Sequence, residues 1–228
     1  MKQTPLLFNS DMVNALLGGY KTMTRRQINR LLGFGKITEF GKSDTKGYDW
    51  HFRDKEMRWH DISNERLLEL CPYGMKGDLI WVRETWKASS IDDSNKPSEL
   101  SNLSEIVYMA DNSSNTKEEQ FLCMGKTRQS IFMPKWASRL TLKITGVRVE
   151  RVQDISEEDA KAEGVWHNKE LNRFRMKKDI GAYLVYARGA FQWLWNSINN
   201  NWDDNPFVWI ISFEVIKENI DSYLDRQT

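Results

Sequence analysis

The stretch from Arg139 to Val152 constrains the fold most strongly, because it predicts one long β-strand. Every second residue from Leu140 to Ile144 is apolar, and successive side chains of a strand point to opposite faces of a sheet. After Thr145-Gly146 the alternation continues with the opposite parity. A β-bulge or a tight bend, of the kind found in small barrels, accounts for such a change of phase. The segment therefore predicts a curved or closed sheet.

Shorter segments predict further strands. The segment from Phe207 to Phe213 is apolar at positions of both parities, which is typical of a strand buried on both faces. A Gly77-Asp78 turn precedes the apolar run Leu79–Val82, which predicts a second buried strand. Two more short strands are predicted at Pro5–Phe8 and Ile106–Met109. Together these segments predict a core built on a sheet.

Three segments predict helices. Ser10 is placed as the N-cap of a helix over Asp11–Leu17, and Gly18-Gly19 is a strong stop signal. A short helix runs from Ser156 to Glu163, with acidic residues in its first turn as the helix dipole prefers. The spacing also predicts a longer helix over 179–198. The residues that its pattern places toward the core are Ile180, Tyr183, Leu184, Ala187, Phe191, Leu194, Trp195 and Ile198.

The chain length of 228 residues predicts a single α+β domain with two insertions. Residues 30–76 are polar and Gly-rich and show no sustained periodicity. Residues 87–130 contain Ser-, Asn- and Lys-rich loops around one short strand signal. Both ranges are interpreted as insertions into one domain that spans residues 1–228.

Charge and cysteine content narrow the class of protein. The net charge is only +1, so no global field attracts nucleic acid or a membrane, and any nucleic-acid contact has to come from a local basic patch. Cys71 and Cys123 form no disulfide framework and indicate a reducing compartment. No apolar run approaches the roughly 18 residues of a membrane span, and the N-terminus lacks a signal-peptide core. We expect a cytoplasmic protein without a membrane partner; the oligomeric state stays open.

The common cofactor and metal motifs are absent from the sequence. The run Gly33-Phe34-Gly35-Lys36 is suited to phosphate, but Arg30 stands where the P-loop spacing needs a glycine. The three histidines, His51, His60 and His167, form no zinc-binding helix and have no ligand-like spacing with the cysteines. The sequence therefore predicts neither a metal nor a cofactor.

A basic cluster follows the first predicted helix at 19–26. Lys21, Arg25 and Arg26 can hold an anion. Like charges and partial burial also lower the pKa of a lysine, which lets it serve as a base. Thr24 lies three residues after Lys21, and a threonine hydroxyl becomes a good nucleophile only when a neighbouring base takes its proton. On the spacing alone, the alternative of a solvated basic turn stays open.

This cluster resembles the signature of ASCH domains, a branch of the PUA-like superfamily. The residues that match the signature are Gly19, Lys21, Thr22, Thr24 and Arg26. Three later segments are similar to ASCH segments in the same order, namely Gly77–Val82, Ile155–Gly164 and Val208–Phe213. In these motifs the chain resembles the small bacterial acetylcytidine amidohydrolases, and with Trp136–Arg139 it is also similar to longer ASCH-like proteins of phages and prophages. The resemblance implies a PUA-like β-pseudo-barrel with flanking helices, which the two insertions enlarge.

The resemblance also implies a catalytic set. In the amidohydrolases the matching threonine is the nucleophile, the lysine is its base and a glutamate completes the set, which corresponds here to Thr24, Lys21 and Glu163. A glutamate at a helix end can return a proton to a leaving amine, although an exposed helix-end side chain is the alternative. The residues implied to hold the substrate are Arg26, Arg25 and Thr22. The implied reaction is hydrolysis of an amide on a modified, N-acylated base.

Two further groups of residues are candidates for binding a nucleobase or a nucleic-acid backbone. The candidates after the strand Leu79–Val82 are Arg83, Glu84 and Trp86, for which a buried ion pair and core packing are the alternatives. The candidates before the long strand are Lys135, Trp136, Ser138 and Arg139, for which a solvated turn is the alternative. Cations beside aromatic rings suit an unstacked base on a single strand. The predicted partner is a nucleoside or a single-stranded nucleic acid, RNA rather than DNA.

Other functions remain open at this point. The chain is alternatively a non-catalytic module that binds RNA, DNA or a modified base, an ASCH-type ribonuclease, or a structural component of a phage particle. Because the insertions cover or reshape any cleft they border, the substrate of a relative does not transfer with the fold.

Overall fold

The computed structural model of the protein describes residues 1–113, 124–175 and 183–227. The strands within these ranges are β1 (Gln3–Leu7), β2 (Met23–Gln27), β3 (Arg30–Leu31), β4 (Gly35–Lys42), β5 (Trp50–Asp54), β6 (Trp59–Ile62), β7 (Leu79–Arg83), β8 (Trp86–Ala88), β9 (Ile106–Tyr108), β10 (Thr141–Arg151), β11 (Trp166–Asn168), β12 (Arg173–Arg175) and β13 (Phe207–Ile216). The helices are α1 (Ser10–Leu17), α2 (Asn64–Glu69), α3 (Glu157–Ala162), α4 (Ala187–Asn199) and α5 (Ile220–Asp225).

The chain divides into two compact units, each of which contains both strands and helices. The first unit consists of Met1–Gly19, Leu79–Lys143 and Glu214–Thr228, and the second of Tyr20–Asp78 and Ile144–Phe213. Strands β10 and β13 contribute residues to both units. The predicted α+β class is confirmed, and the sheets formed by the described residues are open, so that none of them closes into a barrel.

The first unit contains a small sheet in which β7 lies between β1 and the start of β10. Strand β1 runs parallel to β7, and β10 pairs antiparallel to β7 with Thr141 opposite Trp81. Leu79 and Trp81 pack against Ile220 of α5, which covers this sheet. Strands β7, β9 and β10 confirm the predictions for Leu79–Val82, Ile106–Met109 and Arg139–Val152.

Helix α1 differs from its prediction at its first residue. The N-cap is Asn9 and not Ser10, since the Asn9 side-chain oxygen accepts a hydrogen bond from the Met12 amide at 2.9 Å. Asparagine is at least as good an N-cap as serine, so the residue one position earlier takes the role. At the other end the helix stops at Gly18, and Gly19 has a positive φ of 75°, as the stop signal predicts.

The second unit places β2 beside β13 and carries the short acidic helix. Strands β2 and β13 are antiparallel, with Thr24 opposite Ile211 and Arg25 opposite Ile210. From Phe207 to Ile211 every residue of β13 is buried, which confirms the prediction of a doubly buried strand. Helix α3 is also confirmed, because its N-cap is Ser156 and its C-cap is Glu163.

Residues 30–76, which show no sustained periodicity in the sequence, form a regular four-stranded antiparallel sheet in the order β3-β4-β5-β6, followed by α2. Its pairing explains why the pattern is hidden, because the register of β4 against β5 shifts between Ile37 and Glu39 and interrupts the alternation. The glycines of the run Gly33-Phe34-Gly35-Lys36 have φ values of 83° and 72°. Gly33 and Phe34 lie in the turn that joins β3 to β4, and Gly35 and Lys36 are the first residues of β4.

The prediction of a helix over 179–198 is wrong at its start. Residues 176–182, including Ile180, lie outside the described residues, and α4 begins only at Ala187. Its first amides are capped by a distant residue: the Glu157 carboxylate accepts hydrogen bonds from the amides of Ala187 and Arg188 at 2.7 and 3.2 Å. Because a carboxylate from α3 supplies the acceptors that a helix N-terminus requires, no local capping signal marks the start.

The prediction of which residues face the core is correct for four residues of α4 and wrong for the others that the structure describes. The buried members of the predicted set are Ala187, Phe191, Leu194 and Trp195. Tyr183 precedes the helix and is 39% exposed, and Ile198 in the last turn is 52% exposed. Leu184 is also outside the helix, where it forms a β-bridge with Phe174.

Candidate functional site

The end of α3 and the segment before β2 meet in the second unit, and their backbones form the first layer of the site. The Thr22 amide donates to the Ala162 carbonyl at 2.9 Å, and Lys21 and Glu163 form an isolated antiparallel bridge. Gly164 follows with φ of 90°, a conformation that glycine adopts freely and that ends the helix. This local geometry brings together two residues that are 142 positions apart in the sequence.

Lys21 is completely buried, and all of its donors are used. Its Nζ donates to the Met23 carbonyl at 2.8 Å, to the Glu163 carbonyl at 2.6 Å and to Glu163 Oε2 at 3.0 Å. An ammonium group has three N–H donors, so these contacts saturate it. The predicted base and the predicted carboxylate therefore form one hydrogen-bonded pair.

The surroundings of Lys21 make its ammonium form unfavourable. Burial lowers the pKa of Lys21 below its usual value, and the nearby Arg26 and Arg25 guanidiniums lower it further. Glu163 acts in the opposite direction, through its charge and its hydrogen bond. A lysine whose pKa is lowered by burial and like charges is the kind that can act as a base near neutral pH.

Glu163 is held from a second side by Arg25. Its Oε1 accepts a hydrogen bond from Arg25 Nη1 at 3.2 Å, while Oε2 faces Lys21. Glu163 is 4% exposed, so the alternative of an exposed helix-end side chain does not describe it. The other end of the Arg25 guanidinium reaches Asp159, with 2.6 Å from Nη2 to Oδ2.

Thr24 lies in β2 and is almost completely buried. Side chains alternate along a strand, so Met23 and Arg25 share one face, where Arg25 Nη1 contacts the Met23 sulfur at 3.4 Å, and Thr24 and Arg26 lie on the other. The three acceptors of Lys21 do not include the Thr24 hydroxyl. Thr22, the other hydroxyl of the cluster, is exposed.

Arg26 is the half-buried cation on the Thr24 side of β2. Burial lowers the pKa of its guanidinium, whereas Tyr73 and Glu163 raise it. The interaction acts on Tyr73 as well. Burial raises the pKa of the Tyr73 phenol, and the positive charge of Arg26 partly offsets this increase. Neither Tyr73 nor Asp159 is among the predicted site residues. Asp159 could have been found from its spacing, because residues four apart on a helix share one face with Glu163.

The predicted nucleic-acid-binding residues of the first unit lie around a different carboxylate. Glu84 is 2% exposed and accepts two hydrogen bonds from Arg139, from Nε to Oε1 at 2.9 Å and from Nη2 to Oε2 at 3.0 Å. Arg139 also donates to Asp111 at 2.9 Å and lies 4.0 Å from the centre of the Tyr108 ring. Burial raises the pKa of Glu84, and Arg139 partly counteracts it. This is the buried ion pair that the sequence left open as the alternative for Glu84.

The other candidates of this unit make internal contacts as well. Trp86 is completely buried in a cluster with Met133 and Ala137, against which Trp136 packs. The buried Ser138 hydroxyl donates to the carbonyls of Val82 at 2.8 Å and Leu140 at 3.2 Å. Lys135 forms an ion pair with Asp221. Arg83 lies over the Trp81 ring, 4.5 Å from its centre, and its Nη1 donates to the Ile131 carbonyl at 3.0 Å. Each of these candidates for nucleic-acid binding therefore contacts other side chains or backbone groups of the protein itself.

The class of protein that these observations define is an α+β protein with a buried lysine–glutamate pair in its second unit. Within the described ranges, no group of three or more His, Cys, Asp and Glu side chains could hold a metal ion, and no helix has the length and apolarity to cross a membrane. Comparison of the chain with protein-family models, curated proteins and solved structures gives no match. The ASCH resemblance is therefore a hypothesis that depends on the motif residues themselves.

Proposed function

We propose that this protein is an ASCH-type hydrolase that cleaves an amide on an N-acylated nucleobase or nucleoside. The observation that carries the proposal is the completely buried Lys21 bound to Glu163, three residues before the buried Thr24. A titratable group with a strongly perturbed pKa and a specific charged partner is typical of active sites. The substrate class, the PUA-like fold and the cytoplasmic location in the proposal come from the resemblance of the motifs.

The proposed reaction begins when neutral Lys21 takes the proton of the Thr24 hydroxyl and the Thr24 oxygen attacks the carbonyl carbon of the amide. The bond between this carbon and the exocyclic nitrogen of the base breaks, and the nitrogen receives the proton. Water then cleaves the acyl ester on Thr24, which releases a carboxylic acid and restores the hydroxyl. Arg26 contributes positive charge where the oxyanion develops.

Lys21 has to exchange one hydrogen bond before it can accept this proton. Its contact with Glu163 Oε2 at 3.0 Å is longer than those with the two carbonyls at 2.6 and 2.8 Å. Glu163 keeps a partner if that contact opens, because Oε1 remains bound to Arg25. We therefore expect substrate binding to separate Lys21 Nζ from Glu163 Oε2, as catalytic contacts often rearrange between the free and the bound enzyme.

The test is release of acetate from N-acetylcytidine by the purified protein. Thr24→Ala and Lys21→Ala should each abolish release. Thr38→Ala and Lys36→Ala are matched controls, because they remove the same side chains from exposed positions of the second unit. Release of acetate by the Lys21→Ala/Thr24→Ala double variant would contradict the catalytic assignment.

The second candidate is a binding module that recognises a modified base or a single-stranded RNA without turnover. The saturation of Lys21 favours it, because the lysine in this geometry is a positive charge with all three donors occupied. This function predicts a salt-dependent affinity for short single strands or modified nucleosides with no acyl release. It also predicts that Thr24→Ala leaves the affinity unchanged, whereas the hydrolase loses its reaction.

A further inference from the structure

Arg25 occupies a position that the ASCH-like signature leaves unspecified, and it joins two carboxylates. Its Nη1 donates to Glu163 Oε1 at 3.2 Å, and its Nη2 donates to Asp159 Oδ2 at 2.6 Å. The Arg25 side chain is completely buried. A planar guanidinium can bind two carboxylates at fixed angles, which the single ammonium of a lysine cannot do.

The two carboxylates need this bridge because they lie one turn apart at the end of α3. Asp159 and Glu163 are four residues apart, a spacing at which like charges repel each other. Arg148 is a second cation on the outer side, where it pairs with Asp159 and donates to Glu150 at 2.7 Å. Glu150 in turn lies 3.7 Å from Arg25 Nη2. Positive and negative groups therefore alternate from the buried Lys21 to the half-exposed Arg148.

Packing restricts the Arg25 guanidinium in addition to its ion pairs. The Phe191 ring of α4 lies under it, with 5.8 Å from Arg25 Cζ to the ring centre. The Met23 sulfur lies 3.4 Å from Nη1. With contacts on its face and at both ends, Arg25 has one orientation that satisfies all of them.

We propose that Asp159 and Arg25 form a relay that fixes the Glu163 carboxylate against Lys21, which makes Asp159 a positioning residue of the site. The inference rests on the proposed function for its catalytic meaning. One oxygen of Glu163 is bound to Lys21 and the other to Arg25, so rotation of the carboxylate breaks both contacts. Asp159 holds the far end of the Arg25 fork and thereby sets where Glu163 can lie.

The relay has an electrostatic consequence at Lys21. The charged groups that act on Lys21 are Glu163, which raises its pKa, and Arg26 and Arg25, which lower it. Asp159 neutralises part of the Arg25 charge. Removal of the Asp159 carboxylate therefore leaves more of this positive charge facing Lys21, which should lose its proton at a lower pH.

The test compares Asp159→Asn with Glu158→Gln, a neighbouring acid in the same first turn of α3 that is exposed. The titration of Lys21 is followed by NMR of the full chain with labelled lysine, and Lys21→Met identifies the signal. We expect the midpoint to fall by about half a pH unit or more in Asp159→Asn, in line with the effect of one nearby charge, and to stay in place in Glu158→Gln. Asp159→Glu, which keeps the carboxylate, should leave the midpoint close to that of the unchanged protein.

A second variant keeps the proposal testable if Asp159→Asn does not fold. Arg148→Gln removes the surface cation that shares Asp159, so the carboxylate neutralises Arg25 more completely and the Lys21 midpoint should rise. An unchanged midpoint in the folded variants overturns the relay. Because the titration needs no substrate, a moved midpoint in a protein without acyl release supports the relay and rejects the hydrolase, whereas acyl release with an unmoved midpoint does the reverse.

Discussion

Glu163 in the second unit and Glu84 in the first are both buried carboxylates with a cationic partner, but the partners differ in chemistry. Glu163 shares its oxygens between Lys21 and Arg25, whereas both oxygens of Glu84 are bound by one Arg139 fork. A guanidinium stays protonated under all ordinary conditions, but a buried ammonium can lose its proton. Of the two kinds of cationic partner, only Lys21 can therefore give up its proton.

The comparison separates chemistry from structural support among residues that look alike in the sequence. Both clusters combine arginines, a glutamate and nearby hydroxyls, and the sequence predicts both as parts of a site. In the first unit the Ser138 hydroxyl is bound to two backbone carbonyls and the guanidinium of Arg139 to two carboxylates. Burial raises the pKa of Glu84 and lowers that of Lys21, so burial alone does not distinguish the two clusters. The identity of the cation does.

The largest expected effect comes from making the second cluster resemble the first. Lys21→Arg keeps a positive charge that can pair with Glu163 but cannot lose its proton. If Lys21 is the base, release of acetate from N-acetylcytidine should fall by about a thousandfold, the range of general-base contributions. The rate is measured per folded molecule, with the folded fraction determined by circular dichroism.

Lys21→Met is a control for side-chain size, since methionine keeps an unbranched side chain of similar length and removes the charge. It should be as inactive as Lys21→Arg. Acetate release by Lys21→Arg at a rate near that of the unchanged protein would mean that Lys21 is not the base, and the distinction between the two clusters would then lose its catalytic meaning.

A smaller effect is expected from the reverse exchange in the first cluster. Arg139→Lys replaces a fork that binds both oxygens of Glu84 with a single ammonium, which leaves part of a buried carboxylate without its partner. The free energy of unfolding should fall by about 2 kcal/mol, whereas acyl release per folded molecule should not change. Denaturant unfolding measures the first quantity and the acetate assay the second.

The control for this exchange is Arg66→Lys, because Arg66 pairs with Glu69 at the surface of α2 with both side chains at least half exposed. Exposed pairs of this kind contribute about 0.5 kcal/mol or less, so this variant should be nearly neutral. A loss of activity in Arg139→Lys with unchanged stability would assign the first cluster to the reaction after all.

The sequence predicts the elements around the candidate site well because their signals are local. Ser156, the acidic first turn and Gly164 mark α3 without any knowledge of its neighbours, and the apolar run from Phe207 marks β13. The closeness of Lys21 to Glu163, by contrast, was implied only by the motif resemblance, since nothing in the spacing of 142 residues indicates a contact.

Features that depend on distant partners could not be predicted. Helix α4 begins where Glu157 of another helix supplies its cap, so its own sequence gives no start signal. The sheet formed by β3, β4, β5 and β6 is hidden in the sequence, because the register of β4 against β5 shifts between Ile37 and Glu39. Asp159 has an additional role because Arg25 reaches it from β2, whereas its sequence context indicates only a favourable helix dipole.

The smallest expected effect is a pH dependence of opposite sign in the two clusters. The pKa of Lys21 is lower in the folded protein than the usual 10.5, so between the folded and the usual value the unfolded chain binds more protons. Stability therefore rises with pH across this window, and the rise ends near pH 10.5. The pKa of Glu84 is raised above the usual 4.5, so its contribution is complete below pH 4.5 and is lost as the pH rises through the folded value.

Two variants isolate these contributions from the rest of the protein. The free energy of unfolding is measured by denaturant titration across the acidic and alkaline ranges for the unchanged protein, Lys21→Met and Glu84→Gln. The difference between the unchanged protein and Lys21→Met should slope upward only between the folded pKa of Lys21 and pH 10.5. The difference between the unchanged protein and Glu84→Gln should slope downward only between pH 4.5 and the folded pKa of Glu84. A flat alkaline difference would mean that Lys21 ionises as an ordinary lysine. In that case neither Glu163 nor Glu84 has a cationic partner that can act as a base, and the proposed role of Lys21 in the reaction is rejected.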